Sequence, residues 1–307
     1  MTRQKFAYLS ALSASAVLFI GLLIGGGCAN ARRWAEPAPN PFLADILRED
    51  IPSDDDGIFC ASIALAAVDA RAVPDHAVIV RDPDNGRLKA YSFGYESMPL
   101  PPGDMMQTVT YAWLLDKKLG TMDNFFDSYN FINDLSKYLG SSRVFYMPRY
   151  HYHSLLESEF ASILDGRGIL LSQDQLLTFY GSIARNGVRP DKAWYRRQRI
   201  CSAQTAGAVS ALLREEVLSG KDTALTRLAI PVAGRSGTGI LDKGWIPYRQ
   251  IQPSDPVQAA SFVGFFPSYA PKYTLCVSVY SSDAPRTETA VRIFEDIVNR
   301  LDKEGKL

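Results

Sequence analysis

Strand-forming segments lie towards both ends of this chain, and helical segments lie between them. The early pair is HAVIVRDPDNGRLKAYSF, in which two strands flank the turn PDNG, whose Asn85 and Gly86 can both take positive φ. The late strands are AASFVGFFPSY and KYTLCVSVYSS, and IPVAGRSGTGI before them reads as a strand followed by a glycine-rich turn. This order predicts an α+β fold with a central, mostly antiparallel sheet and helices on both faces.

Capping residues and apolar periodicity predict the helices. ILLSQDQLLTFYGSIARNG is amphipathic, with Ser172 as its N-cap, Gln175 three residues later and Asn186-Gly187 as its stop. CSAQTAGAVSALLREEVLSG is a second helix, which begins near Ser202 and ends at Gly220. We also predict an apolar helix after Gly103, a helix that Gly140 ends, and a closing helix whose buried face contains Ile293, Ile297, Val298 and Leu301.

The amino terminus predicts export. Residues 6–27 are uncharged and mostly apolar, close to the ~20 residues that span a bilayer as a helix. We interpret residues 1–28 as a signal peptide or membrane anchor, residues 29–42 as a Pro/Ala linker, and residues 43–307 as one domain on the periplasmic or extracytoplasmic side of the cell membrane. Small residues before Cys28 leave a lipoprotein signal open as an alternative.

Charge and cysteine spacing argue against several classes of function. Lys+Arg and Asp+Glu are equal at 33 each, so no basic surplus indicates a nucleic-acid partner. The four cysteines, which include Cys60, Cys201 and Cys276, are far apart and have no zinc-like spacing. We therefore expect buried free thiols, no metal site and no cofactor, and we interpret the HYH at residues 151–153 as an exposed loop.

Four segments, in this order, resemble segments of the transpeptidase domain of penicillin-binding proteins. They are AVIVRDPDNGRLKAYS, YESMPLPPGDMMQ, GRGILLSQDQLLTFYGSIARNGVRP, and the combination of IPVAGRSGTGI with AASFVGFFPSYAPKYTLCVSVYSS. The most specific is the last, which resembles the family's V-A-G-K-T-G-T strand followed by F-V-G-F-x-P and P-K-Y. The resemblance extends over roughly residues 57–302 and implies the family's α+β fold.

The resemblance implies where the reacting groups would lie. In the family, a serine at the start of a helix attacks a peptide or β-lactam carbonyl, and a lysine one turn later takes or shares its proton. Asp104 stands at the serine position and Gln107 at the lysine position, and no lysine of the chain has a serine three residues before it. Asp104 also lies where a helix N-terminus favours a capping oxygen or an anion.

The two remaining family motifs are partly retained. Ser128 and Asn130, in the sequence SYN, match the S-x-N loop, or else one of them is simply a helix cap. In GRSGTG, Arg235, Ser236, Gly237 and Thr238 match K-T-G-T. This strand is either a cleft wall whose Arg235 binds a substrate carboxylate bidentately, or a place where Gly237 and Gly239 allow close backbone approach.

These residues support three functional hypotheses. The leading one is a membrane-tethered, transpeptidase-like protein without transpeptidase activity, which binds a peptidoglycan peptide or an envelope protein. The second is a divergent acyl-transfer or hydrolytic enzyme of peptidoglycan that uses Asp104, Ser97 or Ser128. The third is a structural scaffold of an envelope complex.

Overall fold

The computed structural model describes residues 55–71, 73, 75–93, 100–118, 128–140, 145–146, 162–167, 169–189, 198–220, 224–241, 257–281 and 287–307. The segment 1–28, the linker 29–42, Ser97 and the HYH at residues 151–153 lie outside these ranges. Within the ranges, no helix combines the length and the apolar character that a bilayer span requires.

The described part contains seven strands, six α-helices and one 3-10 helix. The strands are β1 His76–Arg81, β2 Leu88–Phe93, β3 Phe145–Tyr146, β4 Ile169–Leu170, β5 Ala233–Leu241, β6 Val257–Phe266 and β7 Tyr273–Ser281. The helices are α1 Asp55–Arg71, α2 Met105–Lys117, α3 Ser128–Leu139, α4 Gln173–Ala184, α5 Ala203–Ser219 and α6 Thr287–Lys303, with the 3-10 helix at Leu225–Arg227.

Five strands form one antiparallel sheet in the order β2-β1-β7-β6-β5, and β3 pairs with β4 separately. Every residue of β1 is buried, because both faces of the sheet are covered. Ala77 and Ile79 pack into a core with α2, α3, α4 and α5, whereas Val78 and Val80 pack into a core with α1 and α6. The predicted α+β fold, with helices on both faces of an antiparallel sheet, is confirmed.

The predicted caps of α4 are confirmed. The Ser172 Oγ accepts a hydrogen bond from the Gln175 backbone N–H at 3.1 Å, and the Gln175 Oε1 accepts one from the Ser172 N–H at 2.8 Å. This reciprocal pair is a capping box. After α4, Asn186 and Gly187 take φ of 55° and 81°, so the chain leaves the helix at the predicted residues.

The remaining helix ends and the closing helix also agree with the sequence. Ser202 caps α5, whose last residue comes directly before Gly220, and Gly140 takes a φ of 68° after α3. The apolar face predicted for α6 is buried against the sheet.

The predicted hairpin is confirmed, because β1 and β2 pair antiparallel on either side of the turn. Of the pair Asn85-Gly86, only Gly86 takes positive φ, because the Asp82 carboxylate organises the turn by accepting hydrogen bonds from the Asp84 N–H and the Asn85 side chain. One local prediction was wrong, since GRSGTGI forms no turn. It continues β5 in regular register with β6, from Ala233 opposite Phe265 to Leu241 opposite Val257.

The three cysteines of the described residues are free and buried, as their number and spacing predict. Burial raises the pKa of Cys276 to about 12 and that of Cys201 to about 11. Both thiols are therefore protonated near neutral pH and act as small apolar groups in the core.

The capping box provides a test of the fold. We expect Ser172→Ala to lower the free energy of unfolding by about 1 kcal/mol, because the Gln175 N–H at the start of α4 loses its acceptor. Urea denaturation measures the change. The matched control is Ser219→Ala in the exposed last turn of α5, where the hydroxyl only donates to the Glu215 carbonyl, and we expect a change within about 0.5 kcal/mol. Equal effects of the two substitutions would contradict the role of the capping box.

Candidate functional site

The turn before α2 lies directly on β5, backbone against backbone. Gly103 has a φ of 50°, and a Cβ at this position would lie 2.1 Å from the Thr238 carbonyl oxygen. A Cβ on Gly237 would lie 2.5 Å from the Pro102 carbonyl oxygen. On the other side of the turn, the Gly103 N–H donates to the Gly166 carbonyl at 3.3 Å. Only glycine allows this approach, and the approach brings the start of α2 beside β5.

Asp104 is exposed at the start of α2 and does not cap it. Its backbone is already helical, with φ −57° and ψ −22°, whereas a capping side chain needs an extended backbone. The N–H groups of the first turn instead donate to the carbonyls of residues 102, 103 and 104, at 2.9 to 3.1 Å. The predicted capping role of Asp104 was therefore wrong, and the carboxylate lies beside the Gln107 side chain.

A chain of four polar side chains joins α2, β5 and α5. Gln107 donates through Nε2 to Asp104 Oδ1 at 3.3 Å and accepts through Oε1 from Arg235 Nη2 at 2.8 Å. The other terminal nitrogen of Arg235, Nη1, forms an ion pair with Glu216 Oε1 at 3.0 Å. The side chains of Arg235 and Glu216 are 16% and 36% exposed, so the ion pair is partly open to solvent. We call Asp104, Gln107, Arg235 and Glu216 the cleft network.

The packing of α5 places Glu216 in the cleft network. At one end of α5, the Ser202 N–H donates to Asp116 Oδ1 on α2 at 2.8 Å, and along its length α5 packs against β5 and α2. The last turn of α5 consequently lies beside Arg235. Sequence reasoning missed Glu216 because no local motif marks it, and the contact depends on how α5 docks onto the strand.

The cleft network carries two carboxylates and one guanidinium, a formal surplus of one negative charge. The partner of the Asp104 carboxylate is a carboxamide, which does not titrate and cannot act as a base. Both terminal nitrogens of Arg235 are bound by oxygens of the chain itself. The described side chains can therefore accept and donate hydrogen bonds, but they do not pair a nucleophile with a base.

The other predicted site residues lie on β5 and α3. Ser236 is half-buried and Thr238 is exposed, and both lie on β5 beside Arg235 and Gly237. Ser128 and Asn130 lie in the first turn of α3, and their side chains are outside the described part of the structure. The two interpretations of SYN therefore stay predictions. For GRSGTG, the close backbone approach is present at Gly237, whereas its role as a cleft wall stays a prediction.

Two buried hydroxyl groups lie close together between α4 and α2, near the cleft network. The Tyr180 hydroxyl on α4 lies 3.4 Å from the Thr108 Oγ1 on α2, and both residues are buried. Burial raises the pKa of Tyr180 well above its usual range, although the nearby Arg235 charge opposes this. Tyr180 is therefore a neutral phenol near neutral pH, and it fills the space between α2 and α4.

With this geometry in place, comparisons with known proteins identify the family. A sequence model of the penicillin binding protein transpeptidase domain matches residues 104–299, well over half of the chain. The match begins at Asp104 and includes β5, β6, β7 and most of α6. The chain therefore belongs to the penicillin-binding protein transpeptidase domain family, as the four resembling segments predict. No curated protein matches the sequence.

Solved structures of transpeptidases have the same fold. The transpeptidase domain of Burkholderia pseudomallei penicillin-binding protein 3 is 19% identical, with a TM-score of 0.62 over 82% of this chain and 95% of that one. The transpeptidase domain of the FtsI4 D,D-transpeptidase from Legionella pneumophila is 16% identical, with a TM-score of 0.61 over 82% and 98%. A peptidoglycan synthetase from Bifidobacterium adolescentis is 14% identical, with a TM-score of 0.64, and the match covers 83% of this chain but only 60% of that protein.

Because the turn contacts β5 so closely, the stability of the protein should be highly sensitive to a side chain at Gly103. We expect Gly103→Ala to lower the free energy of unfolding by about 2 kcal/mol or more, because the methyl group meets a carbonyl oxygen and the positive φ becomes unfavourable. The matched control is Gly207→Ala on α5, where a Cβ meets no atom within 4 Å. In a helix this control should stabilise the protein by up to about 1 kcal/mol. Thermal denaturation of both variants measures the contrast, and similar shifts would contradict the close approach.

Proposed function

We propose that this protein is a penicillin-binding-protein-like transpeptidase domain that has lost acyl transfer and acts by binding. Its ligand would be a cell-wall peptide or a protein of the cell-wall assembly machinery. The amino-terminal residues 1–28 would tether the domain on the extracytoplasmic side of the membrane. The observation that carries the proposal is the hydrogen bond between Asp104 and Gln107, at the positions where the family has its serine and lysine.

The chemistry of acyl transfer supports the loss of activity. A serine enzyme needs a hydroxyl that attacks the carbonyl carbon and a base that takes the hydroxyl proton. Attack by the Asp104 carboxylate on an amide would give an anhydride, and the Gln107 side chain beside it neither takes nor supplies a proton at neutral pH. Removing members of a comparable catalytic unit in serine enzymes eliminates most of the rate, because these residues act together.

A binding role is compatible with the backbone frame of the site, by which we mean the glycine contacts, the start of α2 and strand β5. The glycine contacts hold the start of α2 against β5, and exposed polar groups lie on both elements, at Asp104 and Thr238. An enzyme that uses the Asp104 carboxylate as its nucleophile would need an acid near it to protonate the leaving amine, and the described partner of this carboxylate is an amide. We therefore favour binding over the alternative of a divergent acyl-transfer enzyme.

Covalent labelling with a fluorescent penicillin tests the proposal. We expect no labelled band after denaturation of the purified protein, because the acyl-enzyme needs a nucleophilic oxygen and a base that the cleft network does not supply. A catalytically active penicillin-binding protein is the positive control for the reagent. A stoichiometric band from the unmodified protein would contradict the proposed loss of acyl transfer.

The double variant Asp104→Ser and Gln107→Lys extends this test. A labelled band from this variant, with none from the unmodified protein, would indicate that the frame of the cleft is retained and that only the reacting groups differ. Circular dichroism of both proteins controls for misfolding.

A further inference from the structure

The Glu216 carboxylate lies where it competes with any acidic ligand of the cleft. It bonds to Arg235, which is the cation of the cleft network and the one that sequence reasoning assigns to a substrate carboxylate. It comes from the last turn of α5 rather than from any element that the family motifs mark. The family motifs therefore do not predict this contact.

The geometry of the guanidinium makes the competition direct. An arginine binds a carboxylate strongly when two of its N–H groups meet the two oxygens in parallel. In this cleft, Nη1 of Arg235 is bound to Glu216 and Nη2 is bound to Gln107. Each terminal nitrogen carries a second N–H group, so an added carboxylate would have to share the guanidinium with the Glu216 carboxylate and the Gln107 amide oxygen, and it would also meet the negative charges of Glu216 and Asp104.

We propose that Glu216 is a built-in carboxylate that occupies Arg235 and thereby determines the ligand specificity of the cleft. With Glu216 in place, the cleft rejects peptides that present a free terminal carboxylate to Arg235. It accepts neutral groups, such as an amidated peptide end, through the hydrogen-bonding groups of Asp104, Gln107 and Thr238. This inference rests on the proposed binding function and specifies the class of ligand.

Removing Glu216 should restore an anion site. Because Glu216 is part of the chain, it competes at a high effective concentration, and a weak acidic ligand cannot displace it. Without this carboxylate, Arg235 keeps its charge and can form a charge-assisted hydrogen bond with an added carboxylate, which is worth roughly tenfold or more in affinity. After removal of Glu216, Arg235 keeps its hydrogen bond to Gln107 and, at 16% exposure, some contact with water, so the fold should tolerate the change.

The test is a calorimetric titration of the full chain with a matched pair of probes, N-acetyl-D-alanyl-D-alanine and its carboxy-terminal amide. We expect the unmodified protein to bind the acid no more tightly than the amide. Glu216→Ala should bind the acid roughly tenfold or more tighter than the unmodified protein does, with little change for the amide. Glu216→Gln, which removes the charge but keeps an acceptor, should give a smaller gain and serves as the second variant if Glu216→Ala is unstable.

Two control variants test whether the gain in affinity for the acid depends on Arg235. The first is Glu215→Gln, which removes an exposed carboxylate from the neighbouring position of α5 and should leave both affinities unchanged. The second is Arg235→Ala combined with Glu216→Ala, which should lose the gain for the acid. A gain that persists without Arg235 would overturn the proposal.

Two further outcomes would also overturn it. One is tight, acid-selective binding by the unmodified protein. The other is a folded Glu216→Ala variant that does not gain affinity for the acid. These results are separable from a failure of the proposed function, because penicillin labelling reports acyl transfer, whereas the titration reports reversible binding.

Discussion

The backbone contact between the turn at Gly103 and strand β5 is the constraint on which the cleft depends. The carbonyl oxygens of Pro102 and Thr238 occupy the space that side chains at Gly237 and Gly103 would need. The first turn of α2 is consequently held against the strand, and the side chains of residues 104 and 107 project beside Arg235. Without this contact, the elements could keep their secondary structure, but the cleft network could not form.

Helices pack on both faces of the sheet, and this packing holds β5 rigidly for its contact with the turn. Among the elements that the structure describes, four helices pack on one face and two on the other, and the central strands contribute apolar side chains to both cores. The helix α5 is anchored at its start by Asp116 and packs along β5, so its last turn brings Glu216 to Arg235. The polar groups of the cleft are therefore positioned by burial elsewhere, because the exposed ion pair itself contributes little to stability.

The cleft combines a family frame with a different set of charges. The frame consists of the glycine contacts, the helix start and the glycine-containing strand, and its fold matches that of solved transpeptidase domains. The charges form a closed network in which each group is bound to another group of the chain. A nucleophile must be both activated and accessible to react. In this arrangement the side chains satisfy one another's hydrogen bonds.

The sequence by itself determined the fold class, the caps of α4 and α5, and the family, because these depend on local spacing and on the order of segments along the chain. It did not reveal that Asp104 leaves the helix uncapped, that the glycines of GRSGTG lie within a strand, or that Glu216 meets Arg235. Each of these depends on which surface packs against a residue. Gln107 and Arg235 are 128 residues apart, and only the docking of α2 and α5 onto β5 brings their side chains together.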